Sequence, residues 1–206
     1  MKRIVALLLT AFCVIGLCAC NSGANKRYDL GNSDRAMAFY DTYQSYVEKY
    51  GEAQAVENAL CGAAVVRLLD FTGDSQYEML IAYSSEKGKE VDRVMVCGFD
   101  MGLADLLDEE ITSKDNGVAS LWIYTDSSGL SYLVKGDELS KNRTYLTYQQ
   151  ADKEGKPLYQ FAEAFSTEGT DLGGTYEKIN LTGNTDTEAV FETNEAVITS
   201  LKNQRN

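Results

Sequence analysis

From Gly62 to about Asn180 the chain is a succession of short apolar runs cut apart by turn residues, and this punctuation most limits what it can fold into. Ala63–Leu69, Met79–Tyr83, Val91–Phe99, Val118–Thr125, Leu130–Lys135, Thr144–Gln150, Leu158–Phe165 and a short Tyr176–Leu181 read as strands. Glu-Lys-Gly-Lys-Glu at 86–90, Asp126-Ser127-Ser128-Gly129 and Asp152–Pro157 read as turns, with glycine free to take a positive φ. Two helical patterns flank the series. Ala36, Phe39, Tyr40, Tyr43, Val47 and Tyr50 recur at three- and four-residue spacing behind a Ser33 cap and Asp34, and Gly51 stops them. That predicts an amphipathic helix over 34–50. Val190, Phe191, Asn194, Val197, Ile198 and Leu201 predict a C-terminal helix capped near Asp186, and residues 52–59 read as a further helical turn. The implied class is α+β: a helix, an antiparallel meander of about seven strands and a closing helix.

The first twenty residues follow another rule. Lys2 and Arg3 precede Ile4–Leu17, fourteen residues without a charge. Such a run spans about 21 Å as a helix, short of a hydrocarbon core roughly 30 Å thick, so it reads as a secretory signal. Leu17-Cys18-Ala19-Cys20 resembles the lipobox of bacterial lipoproteins, with Leu at −3, a small residue at −1 and the cysteine that follows. The resemblance implies diacylglycerol on the Cys20 thiol and cleavage before it, on the extracytoplasmic face of the cell membrane. Together with an N-terminal acyl group such as palmitate, this gives stable anchoring. A plain signal peptide cut at a nearby small residue is the alternative. Asn21 to Asp29 is polar and aperiodic. The expected organisation is therefore a signal peptide over 1–19, a lipid-anchored tether over 20–32 and one domain over 33–206.

Removing residues 1–19 takes out Lys2 and Arg3 and leaves 187 residues with 17 basic and 31 acidic side chains, a net −14. That balance excludes a nucleic-acid partner, which needs Lys and Arg against phosphates. The chain has no histidine. Ser-His-Asp and Cys-His nucleophilic sites and His-ligated zinc are thereby excluded, whereas carboxylate, lysine and divalent-metal chemistry are not. With Cys20 lipidated, Cys61 and Cys97 remain. In a meander they stand roughly 10 Å apart laterally and about 20 Å apart lengthwise, beyond the roughly 7 Å between Cα atoms that a disulfide spans. They are expected to stay unpaired.

Asp70-Phe71-Thr72-Gly73-Asp74-Ser75-Gln76-Tyr77-Glu78 sets oxygen side chains at positions 1, 3, 5 and 9, with the Gln76 carbonyl available at 7. A calcium ion takes six to eight oxygens at about 2.3–2.6 Å. The segment resembles the strand-loop-strand calcium motif of FG-GAP and VCBS repeats, which implies Asp70, Thr72, Asp74, Gln76 and Glu78 as metal ligands and calcium as a cofactor. Thr72 stands where the motif has an amide and Ser75 where it has glycine. The alternative is a polar turn whose acids cap backbone amides. The wider phrase, from Val65 to Tyr83 with Val94-Met95-Val96-Cys97-Gly98-Phe99 after it, resembles a group of uncharacterised exported lipoproteins of Gram-positive bacteria. No activity comes with that resemblance.

Two other clusters carry weaker signals. Trp122, Tyr124 and Tyr132, with Tyr145, Tyr148 and Tyr159, lie on neighbouring strands and are candidates for a ligand-binding aromatic platform; cross-strand packing explains them equally well. Asp105, Asp108, Glu109 and Glu110 are close enough to supply paired carboxylates, or they form a solvated edge. No residue is assigned a catalytic role. The favoured function is a membrane-anchored, non-enzymatic binding or adaptor module for a protein or cell-wall ligand. The alternative is a carboxylate-based hydrolase of wall or sugar polymers.

Overall fold

Helix α1 (Ser33–Tyr50) forms where the periodicity places it, but its cap is Asn32. The Asn32 side-chain oxygen accepts the N–H groups of Asp34 (2.7 Å) and Arg35 (3.4 Å). Gly51, at φ +99°, ends the helix by donating its N–H to the Val47 carbonyl at 2.8 Å. The computed structural model to which this helix belongs describes residues 28–99, 103–110, 114–115, 117–136, 142–168 and 172–205.

The segment expected as a helical turn is instead a hairpin, β1 (Gln54–Val56) and β2 (Ala59–Cys61), with Glu57 at φ +54° in its turn. Tertiary pairing overrides the local pattern here. Leu60 donates to the Leu181 carbonyl (2.8 Å) and accepts from the Val91 N–H (2.9 Å). Gly62, at φ +79°, then turns the chain so tightly under the Glu52 carbonyl that a Cβ would collide with it.

Strands β3 (Ala63–Leu69), β4 (Glu78–Tyr83), β5 (Arg93–Phe99) and β6 (Leu103–Glu110) form an antiparallel sheet in that order. Next come β7 (Lys114–Asp115), β8 (Val118–Thr125), β9 (Ser131–Gly136), β10 (Asn142–Ala151), β11 (Pro157–Glu168) and β12 (Thr175–Asn180). They build a second sheet in the order β11-β10-β9-β8-β12, with β7 pairing the start of β8, before helix α2 (Thr187–Gln204) closes the chain. The class is thus mostly antiparallel β with a helix near each end of the described chain. The expectation of one meander of about seven strands is corrected. Among the described residues there are eleven strands of three residues or more, in three sheets. β6 escapes the pattern because its acids interrupt the apolar run, and β12 returns to the far side of β8 instead of continuing past β11.

The layers run helices, first sheet, second sheet. One face of the first sheet (Val66, Leu68, Met79, Ile81, Met95) packs with Phe39 and Tyr43 of α1 and Val197 and Leu201 of α2. Its other face (Val65, Leu80, Val94, Val96) packs on Leu121, Ile123, Leu133 and Ile179 of the second sheet. A sheet covered on both sides reads as continuous apolar runs, which is why β3, β4 and β5 were legible. Tyr28 and Leu30 are 5% and 2% exposed within the helical layer, so the folded part begins inside the stretch expected as tether. Gln204 fixes this strap, accepting the Leu30 N–H (2.9 Å) and donating to the Tyr28 carbonyl (2.5 Å).

Helix α2 also closes an open edge. The Asn194 side chain accepts the Val66 N–H (2.9 Å) and donates to the Ala64 carbonyl (2.7 Å), as a neighbouring strand would. Arg67, 3% exposed, donates to the Val66 carbonyl and Asn194 and pairs at 2.6 Å with Glu177 of β12, joining the two sheets. Asn194→Ala leaves a buried donor and acceptor unmet. It is expected to lower unfolding free energy by about 3 kcal/mol in urea titrations, with an unchanged m-value.

Candidate functional site

The 70–78 loop joins β3 to β4 beside the strap, with the Tyr28 and Tyr77 rings edge to face at 5.6 Å. Asp70 gives one carboxylate oxygen to the N–H groups of Thr72 (3.1 Å) and Gly73 (2.6 Å) and the other to Ser75 N–H (2.9 Å). Asp74 accepts from Gln76 N–H at 2.9 Å. Glu78 turns inward, 4% exposed, and accepts from Phe71 N–H (2.6 Å) and the Thr72 hydroxyl (3.3 Å). The Gln76 side-chain oxygen accepts from Arg35 of α1, which also donates to the Phe99 carbonyl at 3.0 Å. Among the described residues no three acid or cysteine side chains gather as a metal group would require. In this arrangement Asp70, Thr72, Asp74 and Glu78 are engaged with amides and the hydroxyl of the loop itself, and the Gln76 side chain with Arg35.

What the loop does is join layers. The Asp70 carbonyl accepts from Ser131 N–H of β9 at 2.6 Å. The Thr147 hydroxyl of β10 sits between the carbonyls of Phe71 (2.6 Å) and Ser131 (3.0 Å). The Phe71 ring, fully buried, meets Phe161 of β11 at 5.2 Å. Burial is the main reason the Glu78 carboxyl rises to about 7, with Asp70 and Asp74 adding to it and the bonds from Phe71 N–H and Thr72 opposing it.

The aromatic platform is not presented to solvent. Trp122, Tyr124 and Tyr132 are 5%, 3% and 8% exposed. Tyr145 and Phe165 from the β10–β11 hairpin stack at 4.5 Å in the same cluster, Tyr124 lies 4.8 Å from Tyr176, and Arg143 covers Trp122 at 4.7 Å. These rings hold the outer face of the second sheet together.

Two of the four acids of β6 also have structural partners. Asp108 accepts from Arg93 (2.7 Å) and the Tyr83 hydroxyl (2.8 Å), and Glu109 pairs with Lys135 at 2.7 Å. The cavity beside Glu109 and Glu110 holds about 30 Å³, the space of one water and not of a sugar ring. Cys61 and Cys97 are free and buried, as the meander order requires, and burial raises both thiols.

The larger feature is one the sequence reading missed. An open concavity of about 710 Å³ lies between the β1–β2 hairpin, the β4–β5 turn and residues 182–183, with Val56, Glu57, Cys61, Lys89, Glu90 and Thr182 on its walls. Its one local signal was the Glu57-Asn58 pair between two short alternating runs. The concavity and the strap sit at opposite poles. The strap adjoins the N-terminus of α1, whereas Gly51 at its C-terminus accepts from Ala63 N–H and Gly62 bonds Ser84 beside the concavity. Eighteen helical residues put roughly 27 Å between the poles. No protein family, curated protein or solved structure matches this chain.

Two predictions follow from the loop. The folded Glu78 holds its proton more tightly than the unfolded one, so its neutral form favours the fold fully below about pH 4.5. That advantage is lost as pH rises to about 7. Glu78→Gln is expected to flatten the decline in stability across this window, which amounts to about 3 kcal/mol in the wild type, measured by urea unfolding from pH 4.5 to 8. Calcium held by the loop would raise the melting temperature in 10 mM calcium above that in chelator. A rise lost in Asp70→Ala/Asp74→Ala would show that the loop reorganises around the ion.

Proposed function

We propose that the mature protein is a lipid-anchored, extracytoplasmic binding or adaptor module without chemistry of its own, akin to the exported lipoproteins its sequence resembles. Leu17-Cys18-Ala19-Cys20 supports the anchor. Among the described residues no helix is long and apolar enough to cross a membrane, and a lipid anchor would need none.

The observation that carries the binding reading is polarity. Tyr28, eight residues after Cys20, is held at one pole, and the open concavity lies at the other, turned away from that point. Glu57 and Glu90 make its rim acidic, and Val56, 44% exposed, adds an apolar contact. Such a rim suits a partner, or a wall ligand, that brings a positive group to an apolar spot. Of the acids suggested for hydrolysis, Asp108 is engaged with Arg93 and Tyr83, and Glu109 with Lys135.

Cys20→Ser is expected to accumulate as the uncleaved, unacylated precursor, seen by intact mass and palmitate labelling; processing identical to wild type would remove the anchor from this reading. For binding, cross-linking in native membranes is compared between wild type and Val56→Asp/Glu57→Lys/Glu90→Lys. Adducts at the concavity are expected to fall at least about fivefold, by roughly 1 kcal/mol of lost affinity. An adduct pattern unchanged by the triple substitution would overturn the placement of the binding site.

A further inference from the structure

The strap does more than begin the fold. From Cys20 to Tyr28 there are eight residue steps, at most about 28 Å of extended chain. Tyr28 itself is held by Gln204, so the domain hangs from a fixed point on a short leash. Several bases gather near that point, alongside the strap's own Asp29. Lys26 and Arg27 lie in the leash. Lys202 and Arg205, on either side of Gln204, are exposed and stand 5.7 Å and 4.5 Å from the Tyr40 ring. One turn before Tyr40 on α1, Met37 is 47% exposed, the largest apolar side chain the helical layer leaves open.

We propose that this patch, Met37, Tyr40, Lys202 and Arg205, is a membrane-docking surface that rests against anionic lipid headgroups and sets the attitude of the domain on the bilayer. Cations next to an amphipathic ring and a flexible apolar side chain suit the boundary between headgroups and acyl chains. The leash is too short to let the patch stray far from that boundary. Asp34 and Asp41 share α1 with Met37 and weaken the attraction. The cations must therefore act at close range, and the contact is salt-sensitive. With the patch down, the concavity faces outward.

This inference rests on lipidation at Cys20, and the test separates the two. Full-length acylated protein is reconstituted in vesicles of phosphatidylglycerol or of phosphatidylcholine. A fluorophore is placed on Asn203→Cys, beside the patch, or on Lys87→Cys, at the far pole; Cys61 and Cys97 are buried and do not compete. Energy transfer to a dye in the bilayer is expected to be at least about twofold greater from position 203 than from 87 on the anionic vesicles. Lys202→Glu/Arg205→Glu is expected to abolish that difference while leaving the circular dichroism and vesicle retention unchanged. Equal transfer from both positions in the wild type, or a difference indifferent to charge reversal and lipid charge, overturns the docking surface. Failure of the wild type to be retained on any vesicle, with no acyl mass on Cys20, overturns the anchor instead.

Discussion

A strand at the margin of a sheet carries a row of N–H and C=O groups with nothing to bond, and in this protein two of those groups on β3 are met by one side chain of a helix. Asn194 is suited to this because a carboxamide offers one acceptor and two donors, enough to imitate a peptide unit of an adjacent strand. The arrangement fixes α2 both along the strand and around its own axis. Ten residues further on, Gln204 then meets the strap, so the position of the N-terminal entry follows from a bond made in the middle of the helix. Arg67 extends the same junction into the second sheet through Glu177.

The acids of this chain show a second economy of means. Asp70, Asp126, Asp152 and Asp186 each turn a side-chain oxygen back onto backbone N–H groups two to five residues ahead. With few bases and no histidine, carboxylates are satisfied mainly by the amides of their own turns, which makes the turns stiff. The resemblance to a calcium loop has the same physical origin. An acid that must reach an amide two or three residues on, and an acid that must reach an ion enclosed by the same turn, call for nearly the same spacing. Spacing alone therefore left both readings of 70–78 open, and the amide bonds of Asp70 and Asp74 show the capping half of that pair.

Legibility in the sequence tracked burial. The central strands β3, β4 and β5 are covered on both faces and announced themselves as apolar runs; α1 and α2 showed their stripes because one face of each lies on that sheet. The turns at 126–129 and 152–157 were legible because local geometry makes them. β6 was hidden by acids whose partners, Arg93 and Lys135, come from other strands. The β1–β2 hairpin and the strap were hidden for a related reason: Leu60 and Tyr28 are held by Leu181 and Gln204, more than a hundred residues away. The same blindness affected the sites. Aromatic residues at alternate positions looked like a platform because the pattern names a face without saying how far its rings are buried, and here Tyr145 and Phe165 of the neighbouring strands pack among them. The concavity was invisible because three distant segments make it.

The latch at Gln204 also has a mechanical side. A pull transmitted along the chain ahead of Tyr28 first loads the strap, which is held by Gln204, by an Arg35 bond to the Leu30 carbonyl and by the Tyr28–Tyr77 ring contact. Unfastening residues 28–32 lengthens the leash by about 17 Å. A tug that frees the strap is thus converted into slack before it is carried into α1.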